Sequence, residues 1–143
     1  MPAYTHVLAA FDINEEGHHI LSRAWHLAKS FGARLSVIHV VEYFPSTGVV
    51  TAPIDLSEDR AIKARDTLRA WGREMGSPEP ECQVVIGNPT TEVLRAADTL
   101  KVDLLIIGHH PHRGLSLLVS HTDAAVLNRA SCDVLAVAHK KQG

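Results

Sequence analysis

The feature that most constrains this chain is a series of short apolar runs with helical stretches between them. The strongest is Leu104-Leu105-Ile106-Ile107, inside a strand read over Val102–Gly108. Side chains alternate between the two faces of a strand, so a run that is apolar at every position is buried on both. Such strands belong in a parallel sheet covered by helices on each side. Similar runs occur at Tyr4–Phe11, Arg34–Val41, Cys82–Gly87 and Asp133–Ala138.

The segments between them carry apolar residues at helical spacing. Asn14-Glu15-Glu16 supplies a polar cap and first-turn acids, Ile20, Leu21, Ala24 and Ala28 an apolar stripe, and Gly32 a stop. A second helix opens at Ser57-Glu58-Asp59 and ends at Gly76-Ser77-Pro78. A third runs over Pro89–Leu100, and a fourth from about His121 to Arg129. Right-handed crossovers then predict an α/β fold: a doubly wound, five-stranded parallel sheet flanked by four helices, as one domain over residues 1–143. Periodicity alone leaves the strand order open. The stretch Glu42–Leu56, with Pro45, Gly48 and Pro53, reads as a long loop that covers a pocket, meets a second copy, or simply packs on the surface. Lys140–Gly143 reads as a frayed tail.

Composition removes several classes of function. A chain of 143 residues with 45% hydrophobic and 21% charged residues is neither disordered nor a membrane span. A net charge of −2 argues against a nucleic-acid binder, which concentrates basic residues on one face. Met1-Pro2-Ala3-Tyr4 runs into a strand with no basic leader, so the expected location is the cytoplasm. Cys82 and Cys132 form no CxxC pair and read as buried thiols in a reducing compartment. No GxSxG elbow, P-loop or GxGxxG motif is present, so no enzyme activity is expected.

In open α/β sheets, ligands bind beyond the carboxyl ends of the strands, where the strand order reverses. The first strand ends at Asp12, and the fourth at Gly108-His109-His110. An acid can accept from ribose or base, and helix N–H groups can take phosphate. Asp12 also reads as an ordinary turn or capping acid ahead of a helix.

His6-Val7-Leu8-Ala9-Ala10-Phe11-Asp12, Leu35-Ser36-Val37-Ile38-His39-Val40, Asp103-Leu104-Leu105-Ile106-Ile107-Gly108-His109-His110, Ala125-Val126-Leu127 and Cys132-Asp133-Val134-Leu135-Ala136-Val137 follow one another along nearly the whole chain. This ordered set resembles the universal stress protein family, bacterial A type. The resemblance implies a Rossmann-like sheet, like that of the adenine nucleotide alpha hydrolases, in the order 3-2-1-4-5, with Asp12 beside Gly108. It also implies a homodimer joined through the last strands, and a stress-response role through an unidentified protein partner.

One branch of the family binds ATP through Gly-x-x-Gly followed by Gly-Ser or Gly-Thr after the fourth strand. Here Gly108 keeps the first position, Pro111 replaces the second Gly, and Ser120-His121 replaces Gly-Ser, while Gly114 and Thr122 persist. Pro111 has no N–H to donate and fixes φ near −65°. Ser120 adds a Cβ, at a cost of roughly 1–2 kcal/mol if its conformation is left-handed. His121 brings an imidazole where a small hydroxyl would meet phosphate. Losing two or three anion contacts of about 1.5–3 kcal/mol each predicts a degenerate loop with no strongly bound cofactor.

The alternative is a switch responding to ATP or AMP, with or without magnesium. Arg113 would hold a phosphate bidentately, and His109, His110, His112 and His121 would add charge at low pH. Its candidate binding residues are Asp12, Val41, Gly108, His109, Arg113, Gly114, Ser120, His121 and Thr122. The histidine spacing matches no standard zinc pattern, so no metal site is assigned. His18, His19, His26 and His39 read as surface or packing residues.

Overall fold

The computed structural model describes residues 3–42, 56–109 and 121–138. Its strands are β1 (His6–Ala10), β2 (Arg34–Glu42), β3 (Glu81–Gly87), β4 (Leu104–His109) and β5 (Asp133–Ala138). Its helices are α1 (Glu15–Phe31), α2 (Leu56–Met75), α3 (Pro89–Leu100) and α4 (His121–Arg129). All strand pairs are parallel, and the order is β3-β2-β1-β4-β5, as the family resemblance implied. The loop read over Glu42–Leu56 and the tail fall, apart from Glu42 and Leu56 themselves, outside the described residues.

Strand alternation divides the core in two. Val7, Ala9 and Phe11 of the β1 segment, with Val37, Val41 and Ile106, face α1 and α2. Leu8, Ala10, Ile38, Val40, Leu105 and Ile107 face α3 and α4. Val7, Leu8 and Ala9 are fully buried, so β1 is central on both faces.

Strand ends differ from the sequence reading for identifiable reasons. β1 starts at His6, and at its start the Thr5 and His6 N–H groups go to the Asp103 carboxylate, 2.9 and 3.0 Å away. β4 starts at Leu104 because Val102 belongs to the cap of α3. Lys101 there is left-handed (φ 54°), and the Val102 N–H returns to the Ala97 carbonyl at 3.1 Å.

The helix starts behave as the sequence indicated. Asn14 Oδ1 accepts from the Gly17 N–H at 2.8 Å, and Asn88 Oδ1 from the Thr91 N–H at 3.0 Å. Gly32 closes α1 with φ 68°.

The cysteines are a correction. Cys82 is exposed and Cys132 half-buried, because each lies on an edge strand or just before one. The Cys82 sulfur is nevertheless tucked toward the Pro80 carbonyl, 3.7 Å away. Desolvation, then the nearby Glu79 charge, pushes this thiol up to about 11.

Candidate functional site at the strand-order reversal

The chain leaves β1 in two directions, to β2 on one side and β4 on the other, and a crevice opens where these paths part. A cleft of about 180 Å³ occupies it. Asp12 and Gly108 both line this cleft, so the structure brings together these two residues singled out in the sequence. Ile38, Val40, Val93, Ile107 and Val126 supply apolar wall on the α3 and α4 side.

Two glycines let the backbone close around the crevice. A Cβ on Gly17 would stand 1.7 Å from the Asp12 carbonyl oxygen, so only glycine lets α1 begin this close to the end of β1. A Cβ on Gly108 would stand 2.8 Å from Ile20 Cδ1 and 3.2 Å from Glu16 Oε1. Both are ends of flexible side chains, so Gly108 gives α1 room that a larger residue would take by displacing them.

Main-chain bonds fix the Asp12 region. The Asn14 N–H donates to the Asp12 carbonyl at 3.0 Å. His39 Nδ1 donates to the Phe11 carbonyl at 3.0 Å, which sets the tautomer of that half-buried ring. The Asp12 carboxylate itself is exposed and has no hydrogen-bond partner among the described residues.

Three carboxylates, those of Asp12, Glu16 and Glu42, line the cleft, and no Lys, Arg or His does among the described residues. Glu16 and Glu42 were not singled out in the sequence. The period of two along β2 could have found Glu42, because Ile38, Val40 and Glu42 share one face. Val41 lies on the opposite face, in the α1–α2 core, and lines a neighbouring cleft of about 500 Å³ with His39, Arg60 and Lys63. Asp12 and Glu42 stand between the two clefts and line both.

His109 ends β4 and is half-buried. His121 and Thr122 form the start of α4. Arg113, Gly114 and Ser120, with His110, Pro111 and His112, lie outside the described residues. Among the described residues no three His, Cys, Asp or Glu side chains gather as metal ligands. His18 bonds Glu74 at 2.9 Å, and His26 Nδ1 donates to the Ser22 carbonyl at 2.7 Å, so these two serve packing and surface pairing.

The model of the universal stress protein family matches residues 3–138. The chain belongs to the universal stress protein family. It is similar to universal stress protein A homolog 1 of Coxiella burnetii, 33% identical over 138 residues that cover 94% of this chain and 96% of that protein. The fold is that of the universal stress protein UspA from Lactobacillus plantarum, with a TM-score of 0.79, 20% identity and coverage of 94% and 97% of the two chains. A universal stress protein solved in complex with cAMP aligns with a TM-score of 0.71 and 26% identity, covering 95% of this chain and 98% of that one. The family assignment agrees with the sheet order and with a cleft at its reversal point. Among the described residues no helix is long and apolar enough to cross a membrane.

Proposed function

We propose that this universal stress protein is a cytoplasmic stress-response binding protein that works by contacting a protein partner, with neither enzymatic turnover nor strong ATP binding. It acts as one domain over residues 1–143 and as a homodimer. The observation that carries this reading is the sequence leading into α4. That helix begins at His121, and in the sequence Ser120-His121 replaces the Gly-Ser that would present amides and a hydroxyl to phosphate. Pro111 removes a further donor. The carboxylates of Asp12, Glu16 and Glu42 around the cleft add repulsion toward a triphosphate.

The dimer reading is supported by β5. It is an edge strand of the described sheet, with Leu135 39% exposed, and Leu127 on the adjacent α4 is 49% exposed. The second reading, a switch responding to AMP or ATP, is favoured by the cAMP complex of the 26% identical relative.

The test is direct. Protein denatured after purification should release no stoichiometric adenine nucleotide, and Mg-ATP should leave the melting temperature unchanged. Restoring Pro111→Gly, Ser120→Gly and His121→Ser together should create ATP affinity. A nucleotide in the extract of the unmodified protein supports the switch instead.

A further inference from the structure

We propose that the cavity beside the last turns of α1, walled by Trp25, Lys29 and Glu79, binds a free amino acid with a large apolar side chain. This goes beyond the function above, because the cavity lies at the amino ends of β2 and β3, the end of the sheet opposite the crevice. Its volume is about 390 Å³, within the ~300–1,000 Å³ of small-molecule pockets. β3 is the edge of the sheet opposite β5, so a dimer through β5 leaves this cavity open.

Two turns form it. Gly32 ends α1 with φ 68°, and the Ala33 N–H returns to the Ala28 carbonyl at 2.8 Å before β2 begins at Arg34. The turn ahead of β3 brings the Pro78 carbonyl to the Trp25 Nε1–H at 3.2 Å. That bond ties the indole of α1 to the second turn. Together with Ala28, Leu35 and Pro78, the indole gives the cavity an apolar wall.

Four charged side chains also line it. Arg34 and Glu81 pair with each other at 3.2 Å. Lys29 and Glu79 do not pair. The Lys29 ammonium stands 4.7 Å from the centre of the Trp25 ring, and no carboxylate partners it among the described residues. An ammonium held over an aromatic face keeps its three N–H donors. The helix end does not call on them, because the Gly32 and Ala33 N–H groups already serve the Lys29 and Ala28 carbonyls. Glu79 has no hydrogen-bond or ion-pair partner among the described residues. A cation and a carboxylate left over beside an apolar wall match a ligand with a carboxylate, an ammonium and an apolar body. A ligand with one charge would satisfy only one of the two, and an uncharged one neither.

The experiment is calorimetric titration of the full chain with L-leucine and L-phenylalanine. Leucinamide and N-acetyl-leucine, each lacking one charge, and glycine, lacking the apolar body, are the comparisons. Leucine or phenylalanine should bind with a Kd of about 0.1–1 mM, and the three comparison ligands at least about tenfold more weakly. Lys29→Met and Glu79→Gln should each weaken the amino acid about tenfold. Both side chains are exposed, so the melting temperature of these variants should stay that of the unmodified protein. Arg34→Gln removes a charge that already has a partner, and should leave the affinity within about twofold. No binding of leucine or phenylalanine up to about 10 mM would overturn the assignment. So would equal binding of the blocked forms, or an Arg34→Gln loss equal to those of Lys29→Met and Glu79→Gln. Unchanged affinity in either of those two variants would overturn it as well. Each of these results leaves the proposed function standing, since that reading rests on the other end of the sheet.

Discussion

Two aspartates flank the central strands at opposite ends of the sheet, and they do opposite things. At the amino end, Asp103 is saturated. Its Oδ2 accepts from the Thr5 N–H at 2.9 Å and the Thr5 hydroxyl at 3.0 Å, and its Oδ1 from the His6 N–H at 3.0 Å. At the carboxyl end, the Asp12 carboxylate has no such partner among the described residues, and the region is held through its main-chain carbonyls, by the Asn14 N–H and the His39 ring. At one end a carboxylate ties the strands together. At the other, the His39 ring and the Asn14 N–H hold the main chain, and the Asp12 carboxylate takes no part. The two ends should therefore fail to different mutations.

The largest expected effect is at the carboxyl end, from added bulk. Gly17→Ala places a Cβ 1.7 Å from the Asp12 carbonyl oxygen, a separation that no rotamer relieves. Either α1 or the end of β1 must shift. We expect a loss of about 3 kcal/mol or more, at or beyond the upper end of ordinary overpacking, measured by urea unfolding. A loss under about 1 kcal/mol would mean that this rim is soft and that the contrast is misdrawn.

Next comes Asp103→Ala, which leaves the His6 and Thr5 donors without their acceptor. The expected cost is about 2 kcal/mol, since one of these bonds is partly buried and the others are open to water. Acid should have a related effect. Desolvation alone would raise the Asp103 carboxyl, but the bonds from His6 and Thr5 outweigh it and hold the group below its usual value of 3.8. A carboxylate with a depressed folded value stabilises the protein above its unfolded value. That contribution is lost as pH falls through the folded value, so the window lies below about pH 4. Asp103→Asn should flatten the fall of melting temperature in that window.

The same contrast explains what the sequence made legible. The runs at β1 and β4 and the caps at Asn14 and Gly32 are local signals, and each was found where the chain put it. The start of β4 differs because the left-handed cap of α3 at Lys101 takes up Val102, with no glycine in the sequence to mark it, and the start of β1 lies against Asp103, 98 positions from Thr5 along the chain. Asp12 and Gly108 end strands at the reversal point, and both line the cleft. Val41 lies on the other face of β2 and lines the neighbouring cleft, which Asp12 and Glu42 also line. Glu16 could not be found this way. On the sequence it is one of two first-turn acids, and only the packing of α1 against Gly108 distinguishes it from Glu15.

The smallest expected effect is Asp12→Ala. The side chain is exposed and has no hydrogen-bond partner among the described residues, so its removal deletes no contact that the fold uses. Its backbone conformation is already fixed by the Asn14 N–H on its carbonyl and by the close approach of Gly17. It also shares the rim with Glu16 and Glu42, so removing one of these charges relieves repulsion. The unfolding free energy should stay within about 0.5 kcal/mol of the unmodified protein, with any change toward higher stability. Binding should respond where stability does not: added to the Pro111→Gly, Ser120→Gly, His121→Ser chain, Asp12→Ala should lower ATP affinity by about tenfold, the worth of one good hydrogen-bond acceptor. Paired urea unfolding and calorimetry on the same substitution separate these outcomes. A stability loss like that of Asp103→Ala would show that Asp12 holds the fold after all, and unchanged ATP affinity would remove it from the pocket.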